Sequence, residues 1–450
     1  MARRDPYCGC EDFHRTAATV RHPSVGVTRR HFLGWGIGAG VALYTARSMP
    51  LPHWLEGAQA AAASDPNARI LVSVFLPGGV DLLDTLLDSE QYGLYRDARG
   101  DAARPEEGTP LAGTAIVPHP ALSQGVGGGL QALFDAGRLG LLPGIDYSNP
   151  DLSHFHSRHF WETGTITPQP TSGWLGRWLD QYGGRENPFQ GLTSGPRLSP
   201  TLLTGAAPVA SLSSVDRAAM SVPGLSGRAQ QRAMAAYREL AAPRRDDRTG
   251  RAAARSHARL AQAVSDSLGA LEGASGVIDP AALGYPSGSP TGARLSQLAH
   301  ILAQPLGTRL ATVDCSGDFD THNNQPGRLA SELAGVSASL TAFQADLDAR
   351  GLSDRVLTFV WTEFGRRLRG NRSLGTDHGA GGIAWLMGSH AASGVITEYP
   401  ALDNLDDKGN LKVTVDFREV YASLIEQWLG TSAEPIIPDA RTMGRIQVVK

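Results

Sequence analysis

Four short stretches carry side chains that can bind a metal ion or move protons. They are Gly78-Gly79-Val80-Asp81; Ser153-His154-Phe155-His156-Ser157-Arg158-His159, leading into Trp161-Glu162-Thr163-Gly164; Asp318-Phe319-Asp320-Thr321-His322-Asn323-Asn324-Gln325; and Thr362-Glu363-Phe364-Gly365-Arg366-Arg367, followed by Thr376-Asp377-His378-Gly379. Carboxylates mixed with imidazoles, and no thiolates, suit a hard to borderline divalent ion such as Zn, Ca, Mn or Mg. Each stretch also has a plainer explanation. Asp81 can cap a helix starting at Leu82, and Asp320 with His322 can close a local turn. His154, His156 and His159 can lie on a helix surface, 156 and 159 on one face.

The elements around these stretches give them a common address. Arg69 to Leu76 is a continuous apolar, β-branched run ended by Pro77-Gly78-Gly79, which suits a strand buried on both faces. Arg309 to Val313 and Val356 to Trp361 have the same character. Between those two, Leu329, Leu333, Val336, Leu340, Phe343 and Leu347 make one stripe of an amphipathic helix, closed by Gly351 at C′. A second helix is expected over Phe417 to Leu429. Strand–helix–strand order with long loops after the strands predicts an α/β fold with a largely parallel sheet. Ligands in such sheets bind outside the carboxyl ends of the strands, where at least three of the stretches fall. Residues from about 200 to 300, rich in Ala, Arg, Ser and Gly, read as a helical insertion with helices near 227–241 and 251–272.

The first 60 residues read as an address. Thr28-Arg29-Arg30-His31-Phe32-Leu33-Gly34 sets two arginines before a mild apolar run, Phe32 to Ala46, too short and too rich in glycine for a membrane span. Ala58-Gln59-Ala60-Ala61-Ala62-Ala63 then offers a cleavage site. Together they resemble a twin-arginine export signal and linker over 1–60, leaving 61–450 as the mature domain. The implied partner is the twin-arginine translocase, the implied location secreted, cell-envelope or periplasmic, and no stable membrane span remains after cleavage. With 450 residues and a net charge of −3, there is no basic field to hold nucleic acid. Cys8 and Cys10 fall in the leader and Cys315 stands alone, so neither an internal disulfide nor a thiolate zinc site is expected.

The leader, Phe75-Leu76-Pro77-Gly78-Gly79-Val80-Asp81, Ser153-His154-Phe155, Trp161-Glu162-Thr163-Gly164, Ser172-Gly173-Trp174-Leu175-Gly176, Phe319 to Gln325, Glu363-Phe364-Gly365-Arg366 and Thr376-Asp377-His378-Gly379 resemble the secreted bacterial family called domain of unknown function 1501. The resemblance extends to Asp416-Phe417-Arg418-Glu419-Val420-Tyr421. That family is placed with the alkaline phosphatase and sulfatase superfamily, which implies an alkaline-phosphatase-like sheet flanked by helices. It also implies metal ligation by Asp81, Asp320, His322, Glu363, Asp377 and His378. Counting back ten residues from Gly164 to the superfamily's nucleophile lands on His154, with Ser153 the nearest hydroxyl. Phe364 stands where the superfamily has an imidazole, and His154 is expected to restore the missing ligand, the other roles open to it being a general base on water, a transient phospho-acceptor or a plain helix cap.

Two functions follow from the resemblance. One is a metal-dependent hydrolase of phosphate or sulfate esters, with Ser153 and His154 at the reacting centre and Arg158, Arg366 or Arg367 holding the anion. The other is an exported binding or assembly protein that keeps the fold without catalysis.

Overall fold

The computed structural model describes residues 41–44, 65, 67–185, 187–212, 226–242, 244, 251, 255, 258 and 280–450. The twin-arginine motif, the alanine-rich cleavage site and most of the helix expected over 251–272 lie outside them. Fourteen strands occur among the described residues: β1 (Val41–Tyr44), β2 (Ile70–Phe75), β3 (Leu86–Asp88), β4 (Ile116–Pro118), β5 (Leu139–Asp146), β6 (Gly191–Ser194), β7 (Val209–Leu212), β8 (Leu310–Asp314), β9 (Val356–Trp361), β10 (Gly365–Gly370), β11 (Thr376–Gly379), β12 (Gly382–Met387), β13 (Gly394–Val395) and β14 (Val415–Asp416). Ten of them form one sheet in the order β1-β7-β6-β8-β2-β9-β12-β5-β13, with β14 also on β5.

Strand β2 is buried along its whole length because it serves both faces. Ile70, Val72 and Val74 point into one core, Leu71 and Phe75 into the other. The first core is closed by the Pro290–Leu302 and Gln325–Ala349 helices, the latter through the stripe Leu329, Leu333, Val336, Leu340, Phe343 and Leu347. Gly351 follows that helix at φ +69°, the left-handed C′ position that its sequence marks. The second core is aromatic. Trp161 stacks on Trp361 and Phe417, and Trp174 on Tyr421, with ring centroids 5.4, 4.6 and 4.1 Å apart. The fold is therefore mixed α/β, a largely parallel central sheet flanked by helices on both faces.

Strand direction explains why the polar loops meet. β6, β8, β2 and β9 pair in parallel, so the loops after β8, β2 and β9 leave the same end of the sheet. β12 runs antiparallel to β9 and β5 antiparallel to β12, which returns β5 to the common direction. The loop after β5, leading to His154, thus leaves that end too. The β10–β11 hairpin enters β12 from there, which brings in His378.

Two parts of the expected insertion at about 200–300 behave differently from that reading. Gly227–Ala241 is helical, but Val209–Leu212 is a strand of the main sheet and the Pro290–Leu302 helix packs into the first core. The strand is too short, at four residues, to stand out from the alanine-rich stretch around it. Val41–Tyr44, within the expected leader, pairs antiparallel with β7. The Phe417 helix changes to a π-helical turn at Leu424–Trp428. Among the described residues no helix is long and apolar enough to cross a membrane. Cys315 is buried, and burial pushes its thiol up to about 12, so it is a packing residue.

Candidate metal centre

Three histidines from three loops turn the same ring atom towards one carboxylate. His154 opens the His154–Thr163 helix, and its Nδ1 lies 2.8 Å from Glu363 Oε1. His378, on β11, places Nδ1 2.9 Å from the Leu152 carbonyl oxygen. His322 places Nδ1 3.3 Å from Asp377 Oδ1. An acceptor beside Nδ1 suits the tautomer protonated there, in which Nε2 is the atom that could bind an ion. All three Nε2 atoms face Asp320. His322 Nε2 is 3.1 Å and His378 Nε2 3.2 Å from Asp320 Oδ1, and His154 Nε2 is 3.6 Å from Oδ2. His322 and His378 have their Nε2 atoms 3.0 Å apart.

These spacings suit an ion. Ligands at roughly 2.0–2.1 Å around a tetrahedral zinc-like centre lie about 3.3 Å from one another. The ligand atoms of His154, Asp320 and His378 all fall within 4.8 Å of one another, and His322 Nε2 borders two of the three. His154 Nε2 is buried without a hydrogen-bond partner. Two imidazoles oriented to present lone pairs at 3.0 Å repel unless a cation or proton lies between them. Charge agrees: three carboxylates, Asp320, Glu363 and Asp377, line the cluster and Arg366 pairs with Asp320, so neutral imidazoles leave an excess of negative charge that suits a divalent ion.

The electrostatics follow from crowding. Burial works to raise the Asp320 carboxyl, but the three imidazoles and the Arg366 guanidinium hold it far below the usual carboxylate range. Burial also opposes charge on His154, yet Asp320 and Glu363 lift it to about 9. His378 moves the other way: burial, with Arg366 and His154 nearby, lowers it against the pull of Asp320. An ion bound at His154 Nε2 would take the place of a proton there.

Not every expected site residue belongs to this group. Asp81 accepts hydrogen bonds from Arg99, Gln325 and the backbone of Leu83 and Asp84, and it touches none of the three histidines. It fills the helix-capping role visible in the sequence. Glu363 accepts from the Gly78 and Gly79 N–H groups and lies against His154 Nδ1, a placement that orients the imidazole. Asp377, its side chain 60% exposed, does the same for His322. Ser153 is the buried cap residue of the His154 helix, its backbone N–H donating to Asp151. Arg158 pairs with Glu162 and Asp314 and lies over the Phe75 ring. Arg366 donates to the carbonyls of Gly78, Gly79, Phe319 and Thr376 and to Asp320. Neither guanidinium is placed to grip a bound anion. Phe364 packs against both His154 and His378, with centroids 4.8 and 4.6 Å away, which keeps the two rings in place where an imidazole was expected.

Sequence reasoning missed Arg99 and the Leu152 carbonyl, and it gave Gln325, though within a singled-out stretch, no role of its own. Nothing in the spacing marks Arg99. Leu152 sits at φ +59°, an unusual conformation for leucine that only the fold reveals, and this turns its carbonyl to His378. Because Glu363 acts through His154, Glu363→Gln is expected to weaken Zn2+ binding by about 10–100-fold without changing the number of ions bound. A Zn2+ titration of both proteins checks this.

A family model described as "Protein of unknown function (DUF1501)" matches residues 144–413, a span that holds all four donors. No curated protein matches the sequence. Among solved structures the chain is similar to "Structure of alkaline phosphatase from the Antarctic bacterium TAB5", at 10% identity over 71% of this chain and 92% of that one. The TM-score is 0.24.

Proposed function

The chain belongs to the DUF1501 family, and on the geometry of its histidine cluster we propose that it is an exported, metal-binding hydrolase acting on a phosphate or sulfate ester. The observation that carries this is the convergence of three Nε2 atoms, each fixed by a second acceptor on Nδ1, upon the Asp320 carboxylate. His154, His322, His378 and Asp320 would hold the ion. Bound there, it would supply a Lewis acid for an ester oxygen and a lowered pKa for water. No hydroxyl or thiol occupies position 154, so the reading favours attack by water over a covalent enzyme intermediate. Glu363 and the Leu152 carbonyl keep the ligand rings in one tautomer, and Arg366 fixes the loop that carries Asp320.

The test is metal analysis of protein purified without chelator, joined to turnover of an aryl phosphate and an aryl sulfate. The expected result is a bound divalent ion, turnover of one ester that chelator abolishes, and loss of both in His154→Ala. Protein that binds no ion sinks the proposal. An ion without turnover of either ester favours the second reading, a non-catalytic binding or assembly protein, to which the engaged side chains of Arg158 and Arg366 already lend weight. Export rests on Arg29 and Arg30. Replacing both with lysine is expected to leave precursor inside the cell, as cell fractionation would show.

A further inference from the structure

On the reading that one divalent ion sits among His154, Asp320, His322 and His378, we infer that the Arg99 guanidinium is the resident cation of an adjoining carboxylate pair, Asp81 and Asp84. The chain then holds one metal ion and not two. The argument starts from burial. Asp81 and Asp84 are 1% and 2% exposed, and two carboxylates brought together in a dry interior need a cation between them. A divalent ion bridging their oxygens would meet that need, and the resemblance to metal-dependent ester hydrolases places a ligand at Asp81.

In this chain the need is already met. Arg99 Nη1 and Nη2 lie 2.6 and 3.0 Å from the two oxygens of Asp81, a two-pronged grip, and Nη1 is 3.4 Å from Asp84 Oδ1. The other oxygen sites are filled by donors. Gln325 Nε2 donates to Asp81 Oδ2 and Asp84 Oδ2, each at 2.7 Å. Tyr95 Oη donates to Asp84 Oδ1 at 2.6 Å, and the Leu83 and Asp84 N–H groups donate to Asp81 Oδ1. An N–H or O–H points at every oxygen of the pair. Around Asp320, by contrast, the His322 and His378 Nε2 atoms lie 3.0 Å apart.

Arg99 is also built in. It ends the Tyr92–Arg99 helix, and it donates through Nε to the Leu368 carbonyl at 2.7 Å and through Nη2 to the Arg367 carbonyl at 3.1 Å. Those carbonyls belong to β10, the strand that carries Arg366. Gln325 extends the link, since its Oε1 accepts from the hydroxyls of Thr321 and Thr376, beside His322 and on the His378 strand. A guanidinium stays charged at any physiological pH and cannot exchange with solvent ions or be drawn out by chelator. The pair thus forms a permanent wall to the metal centre, and Asp81 keeps its place near the centre without ligating an ion.

Equilibrium dialysis of the full chain against Zn2+, followed by elemental analysis, tests this. The native protein is expected to hold one ion per chain. Asp81→Asn, which keeps an oxygen for the helix cap, is expected to hold one ion with an affinity within about threefold of native, below the cost of even a supporting residue. Two ions in the native protein overturn the inference. So does loss of Zn2+ from an Asp81→Asn protein whose circular dichroism matches native. If that variant does not fold, the native count decides alone. No bound Zn2+ in the native protein removes the metal-centre reading, and this inference with it.

Discussion

Asp320→Asn is expected to abolish metal binding under conditions where the native protein is saturated. Changing a residue that only supports a ligand costs about 10–100-fold in affinity. Asp320 is the one carboxylate that all three Nε2 atoms face, so its loss must cost more, at least about 100-fold. Asparagine has nearly the same shape and keeps an oxygen for Arg366, which also donates to four backbone carbonyls. The fold is therefore expected to survive, with a near-native circular dichroism spectrum. Zn2+ titration of the variant checks the first half, and its metal-free melting curve the second. A variant that still binds Zn2+ within a few-fold of native would show that the ion sits elsewhere.

Arg99→Met is expected to be the most damaging single change to stability. It leaves Asp81 and Asp84 buried side by side with only neutral donors, and stranding a buried charge in this way costs about 3–5 kcal/mol. The deficit should depend on pH, with a sign set by the carboxyls. In the native chain burial pushes Asp81 up, but Arg99 outweighs it and holds that carboxyl below the ordinary value, while Asp84 lies above. Without Arg99 both rise in the folded state. A carboxyl whose folded value is raised is most stable in its protonated form, so its penalty is absent at low pH and grows as pH rises through the folded value. The gap between variant and native in urea unfolding is thus expected to narrow towards pH 4 and widen towards pH 8. Asp81→Asn added to Arg99→Met should recover part of the loss, because it removes one of the two unpaired charges.

Much of this site is legible in the order of residues. A short, mostly apolar run such as Ile70–Phe75 suits a strand covered on both faces, and three such runs with a striped helix between the last two imply a mostly parallel sheet. That topology sends its loops to one end, so Asp81, Ser153, His154, Asp320, His322, Glu363, Asp377 and His378 are all candidates for a common site. The proposed twin-arginine leader is likewise a matter of sequence, since such a motif would act as a linear address and needs no fold to be read.

The division of labour among the polar residues was decided by tertiary structure alone. Asp81 and Glu363 have the same ligand chemistry as Asp320, and nothing in their neighbours along the chain separates them. What separates them is which N–H groups lie opposite: Arg99 and Gln325 for Asp81, the Gly78 and Gly79 amides and His154 for Glu363. Those partners come from 18 to 285 residues away. Composition and local spacing thus determine which residue types reach the end of the sheet. Only packing at contact distance determines whether a carboxylate there finds a guanidinium, a backbone amide or the open side of three imidazoles, because charge and hydrogen bonding are settled within a few ångströms by whatever the fold places opposite.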